Sequence, residues 1–255
     1  MNLLNDVISD YEPISLSEMD SVSLMNRIDT KYLLPMGDAL KILASLKGDY
    51  TVLVIEGNRL FEYLTTYFDT DDKKLLYDHL RGKLNREKVR TREYVGTRSR
   101  FFEMKLKTNK GRTVKKRIPK KGEMDSIQPE ESEFLSSVSK LEANSLNPAL
   151  EVKFNRITLV NLGQKERMTF DFNLAFGSGE TLKGVDDLVI IELKRDSEGA
   201  HRTKAMELLK EISARPSSMS KYCLGMILLN KAERYNAYKP KLLNLNKLSA
   251  HGDIW

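Results

Sequence analysis

Charged and apolar residues alternate along most of the central part of the chain. In the stretch NREKVRTREYV, cations stand at every second position: Arg86, Lys88, Arg90 and Arg92. Alternate residues of a β-strand point to the same face, so this pattern predicts a strand with four cations on one side. The stretch FFEMKLKT, which follows it, alternates in the same way.

The pattern as a whole predicts an α+β protein that is dominated by antiparallel strands in hairpin order. We expect roughly eight or nine strands and three to five helices, because turn dipeptides and glycines separate successive apolar runs. The predicted strands include RIDTKYLLP, LFEYLTTYFDT, RFFEMKLKT, RTVKKRIP, EVKFNRITLVNL, ERMTFDFNLAFG and DDLVIIELKRDS. The predicted helices are MGDALKILASLKG, PEESEFLSSVSKLEA, GAHRTKAMELLKEIS and SMSKYCLGMILLNKAE. Residues 1–240 are predicted to form a single domain and 241–255 a C-terminal tail, either docked or loose.

The composition and net charge predict that the protein binds an anionic partner. The chain has 255 residues, a net charge of +6, and charged residues at 31% of the total. An excess of basic residues indicates association with anions, but it does not indicate a fold. Cys223 is the single cysteine, which excludes an internal disulfide and a cysteine zinc site. No signal peptide or long apolar run is evident, so we expect a cytoplasmic protein without membrane insertion.

The charged faces of the predicted strands are the most informative feature. Most of them carry arginine or lysine at the strand centre, and neighbouring strands of this kind would set like charges opposite one another. An antiparallel sheet with one solvated face is the alternative for any single strand. If instead the sheet closes into a barrel of about eight strands, the cations line a tunnel and helices cover the outside. Such a tunnel suits phosphate chains, and Glu103, Asp171 and Glu192 would be oxygen ligands for a divalent cation.

The same stretches resemble a known family. RIDTKYLL, YDHLRGKLNREKVRTREYV, FFEMKLK, RTVKKRI, FNRI, RMTFD, IIELK and SMSKYCLG occur in the order expected of a VTC domain. This is the polyphosphate polymerase domain of the vacuolar transporter chaperone complex and its bacterial relatives, within the CYTH-like triphosphate tunnel metalloenzymes. The resemblance covers about residues 20–235. It implies a closed antiparallel β-barrel with flanking helices, whose triphosphate tunnel binds ATP and inorganic polyphosphate.

The resemblance also implies roles for individual residues. The catalytic residues it implies are Lys31, Arg90, Arg92 and Lys221. Further substrate-binding residues it implies are His79, Lys105, Lys115, Arg117, Arg156, Arg167 and Lys194. Glu192 of the ELK segment matches the metal-binding glutamate, and the implied metal is Mn²⁺ or Mg²⁺.

The chain departs from the family pattern at three places. His79 stands where eukaryotic members have an arginine, and it could be either a phosphate donor or a residue that serves its helix. Ser218 replaces a lysine three residues before Lys221. The first strand reads Arg27-x-Asp29-x-Lys31 in place of the Glu-x-Glu-x-Lys of the wider superfamily.

The resulting functional prediction is transfer of the γ-phosphate of ATP to the end of a polyphosphate chain. Two alternatives stay open: a metal-dependent triphosphatase of the same fold, and a non-catalytic module that binds polyphosphate or RNA. The basic faces show few aromatic residues, so RNA ranks lower and no stable nucleic-acid partner is expected. A membrane-protein partner is implied only by family analogy.

Two other motifs are predicted to be structural. GSGETLKG, residues 177–184, lacks the lysine spacing of a P-loop and is predicted to be a glycine turn. Lys120 and Lys121 are predicted to be solvated in a loop, and Cys223 to be a small core residue.

Overall fold

A computed structural model describes residues 2–21, 27–179, 181–185, 187–197, 202–218 and 220–248 of the chain. The last residues of the predicted tail, 249–255, lie outside this described part. The strands are β1 (Pro13–Ile14), β2 (Arg27–Pro35), β3 (Thr51–Leu53), β4 (Phe61–Asp69), β5 (Arg86–Tyr94), β6 (Ser99–Lys107), β7 (Thr113–Pro119), β8 (Asn147–Asn161), β9 (Glu166–Ser178), β10 (Thr181–Val185) and β11 (Leu188–Asp196).

Helices precede, separate and follow these strands in the described part of the chain. They are α1 (Asn2–Ser9), α2 (Leu16–Ser21), α3 (Met36–Ser45), α4 (Lys74–Leu80), α5 (Pro129–Val138), α6 (Lys204–Glu211), α7 (Lys221–Leu228) and α8 (Lys239–Leu248), with 3₁₀ turns at Ala143–Ser145 and Asn236–Tyr238. The α+β class is therefore confirmed. The predicted glycine turn at 177–184 is wrong in part, because its second half forms β10, which pairs with β9.

Eight strands form one continuous antiparallel path in the order β2-β11-β9-β8-β4-β5-β6-β7. Short strands extend it at the side: β10 pairs with β9, and β3 joins β8 to β1. The path has two ends, β2 and β7, and no pairing joins them within the residues that the structure describes. The sheet is thus a curled half-barrel, and the predicted closure is wrong.

At the open seam, the edge of β2 is bonded to another segment of the chain. The backbone carbonyl of Lys31 accepts a hydrogen bond of 2.7 Å from the N–H of Ser217. The segment before α7 therefore runs along β2 and uses a backbone group that closure with β7 would need.

The convex face of the sheet is covered by helices in two places. Helices α1, α3 and α6 pack over buried side chains such as Ile157 and Phe170. Helix α5 places Leu135 against Phe102 and Met104. The apolar half of each alternating strand thus faces the helices, and the charged half faces the concave side.

Helix α7 fills one end of the concave face. Its side chains pack with Phe154 and Phe176 in a buried apolar cluster. Gly225 allows this approach, since a Cβ at that position would lie 2.4 Å from a ring atom of Phe176. Cys223 lies in the same cluster and is fully buried, as predicted. Leu242 of α8 is also buried there, so the beginning of the predicted tail packs on the domain.

Candidate functional site

The concave face holds three carboxylates that are each paired with two cations. We call these the carboxylate centres; they are formed by Glu103 on β6, Asp171 on β9 and Glu192 on β11. The side chains of Glu103 and Asp171 are almost fully buried, at 1% and 2% exposure. Burial of an unpaired carboxylate costs much free energy, and here two positive charges lie beside each negative one.

Glu103 joins neighbouring strands of the sheet. Its Oε2 lies 2.6 Å from Nη2 of Arg90 on β5, and its Oε1 lies 2.5 Å from Nζ of Lys115 on β7. Burial alone would raise the pKa of Glu103, but the charges of Arg90, Arg92 and Lys115 outweigh it and hold the pKa at about 2. The centre is therefore ionised throughout the neutral range.

Asp171 joins the sheet to α7. Arg156 of β8 donates two hydrogen bonds to it, from Nε at 2.6 Å and from Nη2 at 2.8 Å. Lys221, the first residue of α7, pairs with the same carboxylate. Burial would raise the pKa of Asp171, yet Arg156 and Lys221 lower it to about 2. The predicted residues Arg156 and Lys221 thus meet at one point although they are far apart in sequence.

Glu192 joins the two strands at the β2 end of the sheet. It pairs with Lys31 of β2 through Oε1, and its Oε2 lies 2.5 Å from Nζ of Lys194. Lys194 also lies 3.7 Å from Asp29. Burial would raise the pKa of Glu192, but Lys194 and Lys31 hold it well below its usual range.

Four further cations on the concave face have no carboxylate within ion-pairing distance among the described residues. Arg92 donates only to the hydroxyl of Thr65, at 3.1 Å. Arg117 lies over the ring of Phe101, with its Cζ 4.3 Å from the centroid. Lys88 and Lys105 stand directly opposite each other on β5 and β6. The face therefore carries positive charge that no described protein group neutralises.

Because the sheet is curled, charged side chains at one of its ends affect the pKa values of side chains near the other end. Partial desolvation inside the concavity and the neighbouring charge of Lys88 together lower the pKa of Lys105 to about 8, although Glu192 from the other end of the sheet acts to raise it. Lys31, beside Glu192, also lowers the pKa of Lys88. The predicted cations thus share one concavity although β2 and β7 do not pair.

An aromatic layer lies beneath the cations. Tyr63 and Phe154 stack with their centroids 5.0 Å apart, and Arg92 and Arg156 both lie over these rings. Nζ of Lys221 lies 4.4 Å from the Phe154 centroid. The expectation that the basic face has few aromatics is wrong, and the alternation of Tyr63, Thr65 and Tyr67 along β4 was the signal available in the sequence. The rings are buried under guanidinium groups, so they support cations and offer no open platform for bases.

His79 is held by its own helix. Its Nδ1 lies 2.8 Å from the carbonyl oxygen of Leu75, so Nδ1 donates and Nε2 is the unprotonated nitrogen of the neutral ring. Burial lowers the pKa of His79 to about 3, and the charge of Lys88 contributes. The neutral ring has no second proton to donate to a phosphate oxygen, which favours the helix alternative.

Arg167 marks the end of the concave face away from α7. It pairs in register with Lys194 of β11, and its Nη1 lies 3.9 Å from the sulfur of Met19 on α2. Lys120 lies outside the concavity and is not solvated as predicted. Its side chain is fully buried and its Nζ lies 3.1 Å from Glu131 on α5, a pairing that a loop position does not reveal.

The carboxylate centres differ in how well they suit a divalent cation. The described residues contain no group of three or more His, Cys, Asp or Glu side chains that could hold a metal by themselves. All three carboxylates are paired with two cations, but a second carboxylate, Asp29, lies close to the Glu192 centre, on the far side of Lys194. Mg²⁺ commonly binds through one or two carboxylates together with substrate phosphates, and the Glu192 centre fits this mode once phosphate oxygens are present.

No helix in the described part of the chain has the length and apolar character needed to span a bilayer.

Comparison with solved structures gives distant similarities. A Vibrio parahaemolyticus protein named as a candidate adenylate cyclase is 13% identical, with a TM-score of 0.47, and the match covers 79% of this chain and 99% of that one. The Hippeastrum protein HpAC1, a candidate adenylyl cyclase with a reported dominant triphosphatase activity, is 12% identical, with a TM-score of 0.47 and coverage of 78% and 94%.

No curated protein matches the chain. The family profile of the VTC domain matches residues 26–230, which is most of the sequence and includes every predicted site residue. The arginines and lysines to which the VTC resemblance assigns a role lie within that match and on the concave face. The chain belongs to the VTC domain family.

Proposed function

We propose that this protein is a phosphotransferase that passes the γ-phosphate of ATP to the end of an inorganic polyphosphate chain on its concave face. The observation that carries the proposal is the excess of positive charge there. Every carboxylate centre is bound by two cations, and among the described residues no carboxylate lies within ion-pairing distance of four further cations: Lys88, Arg92, Lys105 and Arg117. Membership of the VTC family supports the choice of condensed phosphate over other anions.

The arrangement suits phosphoryl transfer because that reaction depends mainly on alignment and on stabilising spread negative charge. Arg90, Arg92 and Arg156 present planar guanidinium groups, which can bind phosphate oxygens in pairs. Their stacking on Tyr63, Tyr67 and Phe154 fixes the planes of these groups. Glu103 and Asp171 hold the Nε and Nη2 side of Arg90 and Arg156, so a ligand would use the other N–H groups or replace these carboxylates. Lys221 adds a point charge at the Asp171 centre, and Lys31 adds one at the Glu192 centre.

Glu192, with Asp29 nearby, would hold Mn²⁺ or Mg²⁺ together with phosphate oxygens. When bound, the metal would neutralise charge on the triphosphate. Lys31 and Lys194, which pair with Glu192 in the free protein, would then bind the same phosphate groups.

A metal-dependent triphosphatase is the second candidate, and one observation favours it. The half-barrel is open along β7, where Lys115 and Arg117 are exposed, so water can reach the concave face. With water in place of the chain end, the product would be orthophosphate rather than polymer.

Incubation with ATP and Mn²⁺ or Mg²⁺ tests the proposal. We expect ADP and long-chain polyphosphate to accumulate together, and the Arg90→Ala variant to lose roughly a hundredfold in rate, as for removal of one positioned donor. Arg100→Ala is the matched control, since Arg100 lies on β6 and pairs with Glu93 on the convex side. Orthophosphate without polymer would support the triphosphatase, and an unchanged rate in Arg90→Ala would overturn the assignment of the site.

A further inference from the structure

The hairpin of β6 and β7 carries the positive excess of the whole chain. Residues 104–122 contain nine basic residues and no aspartate or glutamate: Lys105, Lys107, Lys110, Arg112, Lys115, Lys116, Arg117, Lys120 and Lys121. The rest of the chain holds 33 basic and 36 acidic residues, a net charge of −3. The hairpin is therefore a strongly cationic element on an otherwise slightly acidic protein.

Part of this charge lies outside the proposed phosphate-binding face. Lys116 stands on the convex side, in register with Met104, and the turn of the hairpin carries Lys110 and Arg112. All three cations are exposed, and none lies within ion-pairing distance of a carboxylate in the described part of the chain. They neither balance a charge of the fold nor line the concave face, so they are available to a partner.

The same hairpin ends the sheet. Strand β7 is the last strand of the path, and none of the described segments pairs with its outer side. The N–H of Thr108 donates to the carbonyl of Arg112 at 2.8 Å, and the N–H of Lys120 donates to the carbonyl of Arg100 at 2.9 Å. These two bonds identify the hydrogen-bonded pairs of the β6–β7 ladder as the even-numbered residues, because bonded and non-bonded pairs alternate in antiparallel strands.

The odd-numbered residues of β7 therefore direct their backbone groups away from β6. They are Thr113, Lys115 and Arg117, all exposed, and Pro119 ends the row because it has no N–H. A row of unpaired N–H and C=O groups on an edge strand is a template for a further strand.

The charge of this edge restricts the kind of strand that can pair with it. A second copy of β7 would set lysine and arginine against lysine and arginine, which opposes self-pairing. Nucleic acid or anionic lipid would match the charge, but neither uses a row of backbone groups. An extended peptide segment with acidic side chains matches both features, since its main chain bonds to the edge and its carboxylates meet the cations.

We propose that the outer edge of β7, together with Lys110, Arg112 and Lys116, binds an extended acidic segment of a partner protein, which adds a strand to the sheet. These three side chains belong neither to the carboxylate centres nor to the proposed phosphate-binding residues. The contact is therefore separate from the reaction proposed for the concave face.

Fluorescence anisotropy of a labelled peptide of four Glu-Thr repeats, blocked at both ends, tests the contact at low ionic strength. We expect the wild type to bind this peptide and not a peptide of four Lys-Thr repeats. Lys110→Glu/Lys116→Glu should weaken binding about tenfold or more, because two attractions become repulsions. Lys204→Glu/Lys210→Glu is the matched control, because both lysines are exposed on α6 and the net charge changes equally.

The backbone separates strand addition from attraction by charge alone. Thr113→Pro removes one outward N–H at an edge position that tolerates proline, and it should weaken binding about fivefold. Thr113→Ala keeps this N–H and should bind as the wild type does. In the wild type, bound peptide should protect the amide protons of Thr113, Lys115 and Arg117 from hydrogen exchange. Val114 and Lys116, whose amides face β6, should show no further protection.

Three outcomes would overturn the proposal. The first is a wild type that does not bind the Glu-Thr peptide, and the second is wild-type affinity in Lys110→Glu/Lys116→Glu. The third is weakening by charge reversal without new amide protection and without an effect of Thr113→Pro, which would show a surface that attracts RNA or anionic vesicles by charge alone. The exchange measurement uses the wild type, so it does not depend on the folding of a variant. None of these measurements involves ATP, so a failure of the proposed function would leave their results unchanged.

Discussion

Arg156 and Asp171 form a bidentate pair across neighbouring strands of the curled sheet, with hydrogen bonds of 2.6 Å and 2.8 Å. Lys221 binds the same carboxylate from the first turn of α7. One buried aspartate therefore fixes two of the proposed substrate-binding cations and anchors the helix that closes one end of the concave face.

Replacement of this aspartate should destabilise the protein strongly. In Asp171→Asn, Arg156 and Lys221 lose their counter-charge in a buried position, and we expect the free energy of unfolding to fall by about 3–5 kcal/mol. Urea denaturation measures this change. Asp38→Asn is the control, because Asp38 forms an exposed pair with Lys41 and should cost less than about 1 kcal/mol.

Tripolyphosphate should offset part of that loss. An anion on the concave face replaces the missing charge, so saturating tripolyphosphate is expected to stabilise Asp171→Asn by more than it stabilises the wild type. Equal stabilisation of the two proteins would argue that the anion binds away from Arg156 and Lys221.

The loss of folding stability at acid pH should depend on Glu103. Its pKa falls from 4.5 to about 2 in the folded protein, so the folded state binds fewer protons there than the unfolded state. The resulting stability is fully present above about pH 4.5 and is lost as the pH falls toward 2. We expect the unfolding free energy of Glu103→Gln to change less between pH 5 and pH 2 than that of the wild type.

Glu133→Gln provides the comparison for this measurement, because Glu133 is exposed on α5. It should retain the full acid dependence. A Glu103→Gln curve parallel to the wild-type curve over the acid range would show that the carboxylate is not held by Arg90 and Lys115.

The alternation of charge allowed the strands and their faces to be predicted. Arg90 and Arg92 share one face of β5, and Glu103 and Lys105 share one face of β6, because alternate residues of a strand must do so, and this needs no knowledge of the partner strands. The family pattern then selected Lys31 and Lys221, which do reach the same concavity.

Tertiary geometry could not be predicted in this way. Among the described residues β2 does not pair with β7, and the segment at Ser217 bonds to β2 instead. Nothing in the local pattern reveals that contact. The partners of the carboxylates come from distant segments: Lys31 and Glu192 are separated by 161 positions and Lys221 and Asp171 by 50. For this reason Glu103 and Asp171 were predicted as metal ligands, whereas the structure pairs both with cations.

Tyr67 should ionise at an unusually low pH. Burial would raise the pKa of its phenol, but Arg90, Arg92 and Lys88 outweigh burial and lower it to about 8. Near-ultraviolet absorbance of tyrosinate should therefore show one early transition, well separated from tyrosines such as Tyr11 and Tyr50, whose pKa values are raised by burial.

Two changes should remove this transition for different reasons. Tyr67→Phe deletes the group itself, and saturating tripolyphosphate should move its pKa upward by neutralising the surrounding cations. Tyr63→Phe is the control, because burial raises the pKa of Tyr63 despite its own contacts with Arg156 and Arg92. An early transition that survives in Tyr67→Phe would contradict the assignment.

The central claim is that the cations of separate strands bind one condensed phosphate on the concave face. A crystal structure of the protein with tripolyphosphate tests this most directly. The account predicts the ligand along the concave face, in contact with Arg90, Arg156 and Lys88. Tripolyphosphate bound only on the convex surface, with the concave cations still paired as they are in the free protein, would contradict it.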